Sequence, residues 1–295
     1  MDSAADQRLK KIKNKQTRQK LYAKLKAQRD KDRHKLRSER SKDERANPEL
    51  REQRLAENVP DTLENQRTYD ETVGAELEGE DEFESFFSVD KEPKILLTTN
   101  EKAKKIAYEF ADLLMDFLPN TTFVKRKPGY TMKDIAEYAS NREFSHLIVI
   151  DEDKKKINGM TFIHLPAGPT FYFSVTLVVD TNDIHGHGRA TDHTPELVLN
   201  NFTTRLGRTV GRLFQLIFPA HPELVGRQVL TMHNQRDYIF FRRHRYVFRN
   251  EEKVGLQELG PQFTLKLRRM QKGIRGETVW EHRPDMEKDK RKFYL

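Results

Sequence analysis

Cysteine is missing altogether from the 295 residues. That excludes disulfides and any cysteine-ligated zinc finger within the chain, and it favours an intracellular setting over a secreted one. No apolar run is long enough to span a bilayer, and the charged N-terminus lacks the apolar centre of a secretory signal. The phosphate-cradling pattern G-x-x-x-x-G-K-[ST] is absent, Gly186-His-Gly188 has no third glycine to complete a dinucleotide fingerprint, and no G-x-S-x-G offers a hydrolase nucleophile. A nucleotide-driven motor and an esterase-like enzyme are therefore disfavoured, and cysteine chemistry is impossible.

What is abundant is charge. Lys, Arg, Asp and Glu make up 34% of the chain against 36% hydrophobic residues, so part of it is expected never to join a core. The net charge of +8 favours a polyanionic partner. Its distribution marks boundaries. Residues 1–45 hold seventeen Lys or Arg against seven Asp or Glu, whereas residues 70–92 hold ten acids against Lys91 alone. The expected organisation is a basic arm over 1–69, disordered or helical when bound, then an acidic linker over 70–92, a globular body over 93–275 with halves near 93–190 and 191–275, and a charged tail over 276–295. Lys10-Lys-Ile-Lys-Asn-Lys15 fits a nuclear localisation signal, and Phe83, Phe86 and Phe87 stand out in the acidic linker as anchors for a partner's groove or for this chain's own body.

Inside the body, Ile95 to Leu97 reads as a buried strand. Ala103, Ile106, Ala107, Phe110, Leu113, Leu114 and Phe117 then recur at helical spacing up to Pro119. Thr122 to Arg126 is strand-like, Met132, Ile135, Ala136 and Ala139 mark a second helix, and Leu147 to Ile150 is another apolar strand. Met160 to Leu165 and Thr170 to Val179 form a hairpin around Pro166-Ala-Gly-Pro169. This alternation predicts an α/β (α+β) sheet with helices packed against it. A weak repeat, in which the helix ending at Pro119 matches the one ending at Pro219 and Gln228 to His233 resembles Lys94 to Thr99, suggests two related halves.

The second half carries the densest chemistry. Residues 225–275 contain twelve Lys or Arg against four acids. On a helix from Arg205 to Phe218, Arg205, Arg208 and Arg212 share one face opposite Leu206, Val210, Leu213, Phe214 and Ile217. Gly207 and Gly211 within it suggest that another backbone or a phosphate approaches closely. Asp237 to Phe248 has no clean parity and reads as two short strands around a bend or one strand with a bulge. Phe263, Leu265 and Leu267 alternate with Thr264, Lys266 and Arg268, one face buried and one basic. The candidate RNA contacts are Arg205, Arg208, Arg212, Arg236, Arg242, Arg243, Arg245, Lys266 and Arg268, with Lys125, Arg126 and Lys127 as a second contact in the first half. Guanidinium planes beside Tyr238, Phe240 and Tyr246 suit stacking on unpaired bases. An ordinary solvated basic helix face is the alternative. Asp183, His185, His187, Asp192 and His193 offer the ligand types of a hydrolytic metal site, but on a glycine-containing loop without a fixing helical spacing.

Together Pro93-Lys-Ile-Leu-Leu-Thr-Thr-Asn100, Phe202-Thr-Thr-Arg-Leu-Gly207, Arg236-Asp-Tyr-Ile-Phe-Phe-Arg-Arg-His-Arg-Tyr246 and Glu258-Leu-Gly-Pro-Gln-Phe-Thr-Leu-Lys-Leu267 resemble the Brix-domain proteins of eukaryotic ribosome assembly. The similarity covers about residues 93–295. Asn47-Pro-Glu-Leu-Arg-Glu-Gln-Arg-Leu-Ala-Glu-Asn58 and His164-Leu-Pro-Ala-Gly-Pro-Thr-Phe-Tyr-Phe173 place it nearest a large-subunit branch of that family. The resemblance implies two similar halves related to the anticodon-binding fold of some aminoacyl-tRNA synthetases. It further implies a nuclear, nucleolar and non-enzymatic protein that binds precursor ribosomal RNA of the large (60S) subunit and pairs with a companion of the maintenance-of-killer 16 type. No cofactor, metal, membrane or small-molecule substrate is expected. The rival readings are a protein-interaction scaffold of the small-subunit precursor and a metal-dependent RNA-processing enzyme.

Overall fold

The computed structural model describes residues 12–69, 92–250 and 253–295, in two compact units over 1–65 and 66–295. The acidic linker up to Lys91, with Phe83, Phe86 and Phe87, lies outside the described residues, as do the first two residues of the Lys10–Lys15 run.

In the first unit, the absence of Gly and Pro lets good helix formers run unbroken through α1 (Lys15–Ala46), and Asn14 caps it by accepting from the Gln16 and Thr17 N–H groups. No residue of α1 is buried. Pro48 opens α2 (Pro48–Glu57), and Arg54 grips Glu44 of α1 with a forked pair of hydrogen bonds.

The second unit is built on an eleven-stranded mixed sheet. After β1 (Thr68–Tyr69), the first half contributes β2 (Ile95–Thr99), α3 (Lys105–Met115), β3 (Thr121–Phe123), α4 (Met132–Ser140), β4 (His146–Asp153), β5 (Lys156–His164) and β6 (Thr170–Val179). The second half contributes β7 (Glu196–Asn200), α5 (Arg205–Ile217), β8 (Gln228–Gln235), β9 (Tyr238–Asn250), β10 (Lys253–Glu258), β11 (Gln262–Gln271) and β12 (Thr278–Glu281). A last short strand, β13 (Lys292–Phe293), pairs with β1.

The repeat is visible in the pairing. β2-β4-β5-β6 and β7-β8-β9-β11 each run parallel, antiparallel, antiparallel, and the two series meet antiparallel at β6 and β11 with Ser174 opposite Lys266. Counting outward from that seam makes β2 the counterpart of β7 and β4 the counterpart of β8. Gln228 to His233 therefore corresponds to β4, not to Lys94–Thr99 as the sequence likeness suggests; both pair in parallel with a neighbouring strand and send apolar residues into the front core.

α3 and α5 cover the same face of the sheet, here the front. Ala107, Phe110, Ala111 and Leu114 of α3 and Leu206, Val210, Leu213, Phe214 and Ile217 of α5 join one core with Ile148, Phe162, Phe173, Leu230, Phe241 and Leu265. On the reverse face of the first half α4 packs, burying Met132, Ala136 and Ala139 against Leu96, Leu147, Val149 and Ile163. Its start is fixed by a capping box between Thr131 and Asp134.

β9 is one strand of thirteen residues paired without interruption to β8 from Tyr238 to Arg245, not two strands around a bend. The irregularity lies instead in the β9–β10 pairing at Lys253/Val254. The parity of β9 is disguised because an arginine, Arg243, takes the inward position that follows Ile239 and Phe241 on the front side.

The segment from 276, expected as a charged tail, ends inside the fold. Phe293, Tyr294 and Leu295 are buried, Trp280 packs beside Tyr294, and Asp237 accepts from the N–H groups of Tyr294 and Leu295 at 2.7 and 2.8 Å. The few apolar residues that anchor it are outvoted by charge in any composition count.

Candidate nucleic-acid interface

Helix α5 starts at Thr204, whose hydroxyl accepts from Gly207 N at 2.9 Å and donates to Tyr294 O at 2.7 Å. A Cβ on Gly207 would lie 2.7 Å from the Leu295 carbonyl carbon, so the close approach anticipated from this glycine is by backbone of the chain's own end. Gly211 meets only ordinary contacts with Leu199 and Phe202. Arg67 ties the same corner: it donates to Leu295 O at 2.8 Å and to Thr203 Oγ1 at 3.3 Å and lies over the Phe293 ring.

With its apolar stripe sunk in the front core, α5 presents Arg205 and Arg208 to solvent and leaves Arg212 half-buried. The helix contains no carboxylate. Cations in the first turns oppose the helix dipole, typically by 0.3–1 kcal/mol or roughly so, which means these arginines are not there to stabilise the helix.

The remaining basic candidates do not join them. Alternation along β9 sends Phe240, Arg242 and His244 to the reverse face, with the whole thickness of the sheet between them and α5. Arg242 is half-buried and hydrogen-bonded to Phe241 O, with Glu258 at 3.9 Å. Arg243, by contrast, is 1% exposed. It donates to Gln228 Oε1 at 2.7 Å and reaches Asp116 O and the Phe117 ring of the first half, while its Nε meets no acceptor among the described residues. Burial pushes its pKa down, and nearby Asp116 opposes that shift. Arg243 is thus a bolt between the halves, and its place as an RNA contact is withdrawn because its charge is spent inside.

Lys266 is likewise buried, 2.9 Å from Glu287 Oε1 and over the Tyr238 ring. This hydrogen bond to Lys266 holds the Glu287 carboxyl below its usual range. The basic face expected on β11 is therefore internally neutralised: Arg268 is half-buried against Ser174, His282 and the same Glu287. Arg236 is exposed in the two-residue β8–β9 turn, where it and Asp237 both have positive φ, and Arg245 is exposed further along β9. In the first half, Lys125 stands exposed over the Tyr108 ring and Lys127 is exposed, whereas Arg126 is drawn in by Glu101 and the Tyr130 carbonyl.

Three polar residues that composition did not single out stand on the reverse face of the second half. His233, His244 and Thr231 are half-buried beside Phe240 and Arg242, and none makes a side-chain hydrogen bond among the described residues. The alternation of Val229 to Gln235 carried the signal, had β9 been read as one strand. Of the loop histidines, His187 bonds Ile184 O and His193 bonds Thr191 Oγ1, and among the described residues no three His, Asp or Glu converge on a metal-holding arrangement. A buried imidazole pair lies elsewhere, with His164 Nδ1 3.0 Å from His146 Nε2. Burial lowers both, His146 well below its ordinary value with help from His164, and His164 to about 4.

Comparison with known proteins gives a consistent family. A model described as the Brix domain matches residues 100–269. Ribosome production factor 1 of Saccharomyces cerevisiae is 60% identical, over 96% of this chain and 97% of its own length. A Brix domain-containing protein of Schizosaccharomyces pombe is 46% identical over 97% of this chain and 99% of its own, and ribosome production factor 1 of Pongo abelii is 43% identical over 96% and 84%. A crystal structure of a probable ribosomal biogenesis protein from Aeropyrum pernix K1 aligns with 65% of this chain and 99% of that one, at 14% identity and a TM-score of 0.44.

Proposed function

This chain belongs to the Brix-domain family, and on that premise we propose that it is a ribosome biogenesis factor that binds precursor ribosomal RNA and helps assemble the large subunit without itself catalysing a reaction. The observation that carries the RNA-binding part is α5: Arg205 and Arg208 lie exposed in its first turns, against the helix dipole and with no carboxylate in the helix to neutralise them. Phosphates would bring those arginines the countercharge that no ion pair among the described residues supplies. The exposed basic helix α1 adds a second electrostatic reach for RNA, and Lys125 and Lys127 a third. A nucleolar location and a companion of the maintenance-of-killer 16 type belong to the same proposal, by family.

Its work would be positional, holding a folding intermediate of the RNA. Reversing two exposed charges tests it: in Arg205→Glu/Arg208→Glu, affinity for large-subunit precursor RNA should fall and the slope of log K against log salt should shrink by about 2. Unchanged affinity and slope in the folded double variant would remove α5 from the interface.

A further inference from the structure

The two halves of the sheet run in opposite senses. Every step from β4 through β5, β6, β11 and β9 to β8 is antiparallel, so the C-terminal ends of β2, β3 and β4 lie at one end of the sheet and those of β7 and β8 at the other. With β4 eight residues long, these ends stand about 25 Å apart. Arg205, Arg208 and the Arg236–Asp237 turn share the second of them, because α5 follows the C-terminal end of β7. The equivalent parts of the first half, the start of α3 and the β4–β5 turn at Lys154–Lys155, stand at the first.

The correspondence is close. Both turns have two residues of positive φ, 51° and 61° at Lys154 and Lys155, 54° and 63° at Arg236 and Asp237. Asn100 donates to Glu152 O at 2.7 Å just as Asn201 donates to Asn234 O at 2.8 Å. In the second half the left-handed backbone serves the fold, since Asp237 receives the N–H groups of Tyr294 and Leu295. Lys154 and Lys155 are both exposed and bring no packing in return, in a turn whose favoured residues are asparagine and glycine. Lys102, Lys125, Lys127 and Lys156 are exposed at the same end, and none of these six lysines forms an ion pair among the described residues. The carboxylates around them are mostly engaged: Glu101 by Arg126, Glu109 by Lys105 and Glu152 by the Lys104 N–H, with Asp153 exposed at the base of the turn.

From this we infer that the lysine end of the first half is a second site for the phosphate backbone of RNA, and that one chain bridges two RNA segments at opposite ends of its sheet. The inference rests on the RNA-binding reading of α5 and adds to it a separate end with a separate segment. Lysines on three loops are point charges on flexible stems, which suit the repeating phosphates of a duplex and read no base. An acidic protein segment is the rival occupant. It would need seats for its side chains between the charges, whereas these lysines stand on loop and turn tips.

The test uses the full chain and two RNA duplexes of unlike sequence, one immobilised and one fluorescent. Retention of the second duplex through the protein reports bridging, and anisotropy reports the binding of either alone. Lys154→Asn/Lys155→Gly suits the turn and so preserves the fold; joined to Lys125→Ala/Lys127→Ala, it should cut retention about tenfold while single-duplex affinity, held by α5, changes by only about twofold. Arg205→Glu/Arg208→Glu should also cut retention, and should flatten the salt slope of single binding. Because α1 is present in every variant, bridging through it would survive the lysine changes: retention unchanged in the folded lysine variant overturns the inference and leaves the α5 reading standing. Loss of a co-purifying acidic protein by that variant, with retention intact, overturns it in favour of a protein partner. Affinity, slope and retention all unchanged in Arg205→Glu/Arg208→Glu overturn the two-ended bridge together with the α5 reading, and so does a wild-type chain that binds neither duplex.

Discussion

The two halves of the sheet share one register and differ in what lies behind it. Behind the first, Leu96, Leu147, Val149 and Ile163 meet Met132, Ala136 and Ala139 of α4, and the layer is closed. Behind the second, the equivalent strands carry half-buried threonine, histidine and arginine, with no helix packed on them among the described residues. One half thus uses its reverse face for stability and the other leaves it available. The lesson is that a duplicated fold need not close both of its reverse faces when the front core, continuous across the seam from Phe110 to Phe263 and Phe214, already holds both halves.

The sharpest way to break that comparison is to cut equivalent positions. Leu147→Ala, under α4, should cost about 2–5 kcal/mol in urea unfolding, as buried leucines do. Its counterpart Thr231→Ala should stay within about 0.5 kcal/mol. Equal costs would mean that the second reverse face is structural after all.

Acid should separate the halves next. The unfolded chain protonates its histidines near the ordinary value of 6.5, whereas folded His164 resists protonation until about 4, and burial also holds His146 well below its ordinary value. Stability is then complete above pH 6.5 and falls as pH drops toward 4, by on the order of 3 kcal/mol from His164 alone. Replacing both with glutamine should flatten that decline in denaturant titrations run across the range. A decline unchanged in the double variant would place its source in other groups.

A smaller loss belongs to the second half's helix. Gly207→Ala removes a helix-weakening glycine but drives a methyl into Leu295, so a net loss of about 1–3 kcal/mol is expected, seen as a lower unfolding midpoint. A gain in stability would show that the chain's end yields readily beneath α5.

Much of this architecture was readable beforehand. The apolar periodicities of α3, α4 and α5 and the hairpin of β5 and β6 come from local rules of spacing and turn chemistry, and the structure places them within a few residues of expectation. The candidate interface was less legible. Arg205 and Arg208 are exposed as a helical wheel requires, but Arg243 and Lys266 are indistinguishable in composition from Arg242 and Arg245, and only their partners elsewhere in the fold turn them inward.

The sequence by itself determined the basic character of the chain, its repeated helix and strand pattern and its family, because all three depend on residue identity and short-range spacing. Only the tertiary structure decided that the arginines of α5 and β9 stand on opposite sides of one sheet, that Leu295 closes the α5 corner, and that one reverse face is covered while its twin is open. Those outcomes follow from pairing registers between strands as far apart in the chain as β6 and β11, where long-range contact, not local preference, sets which way each side chain points.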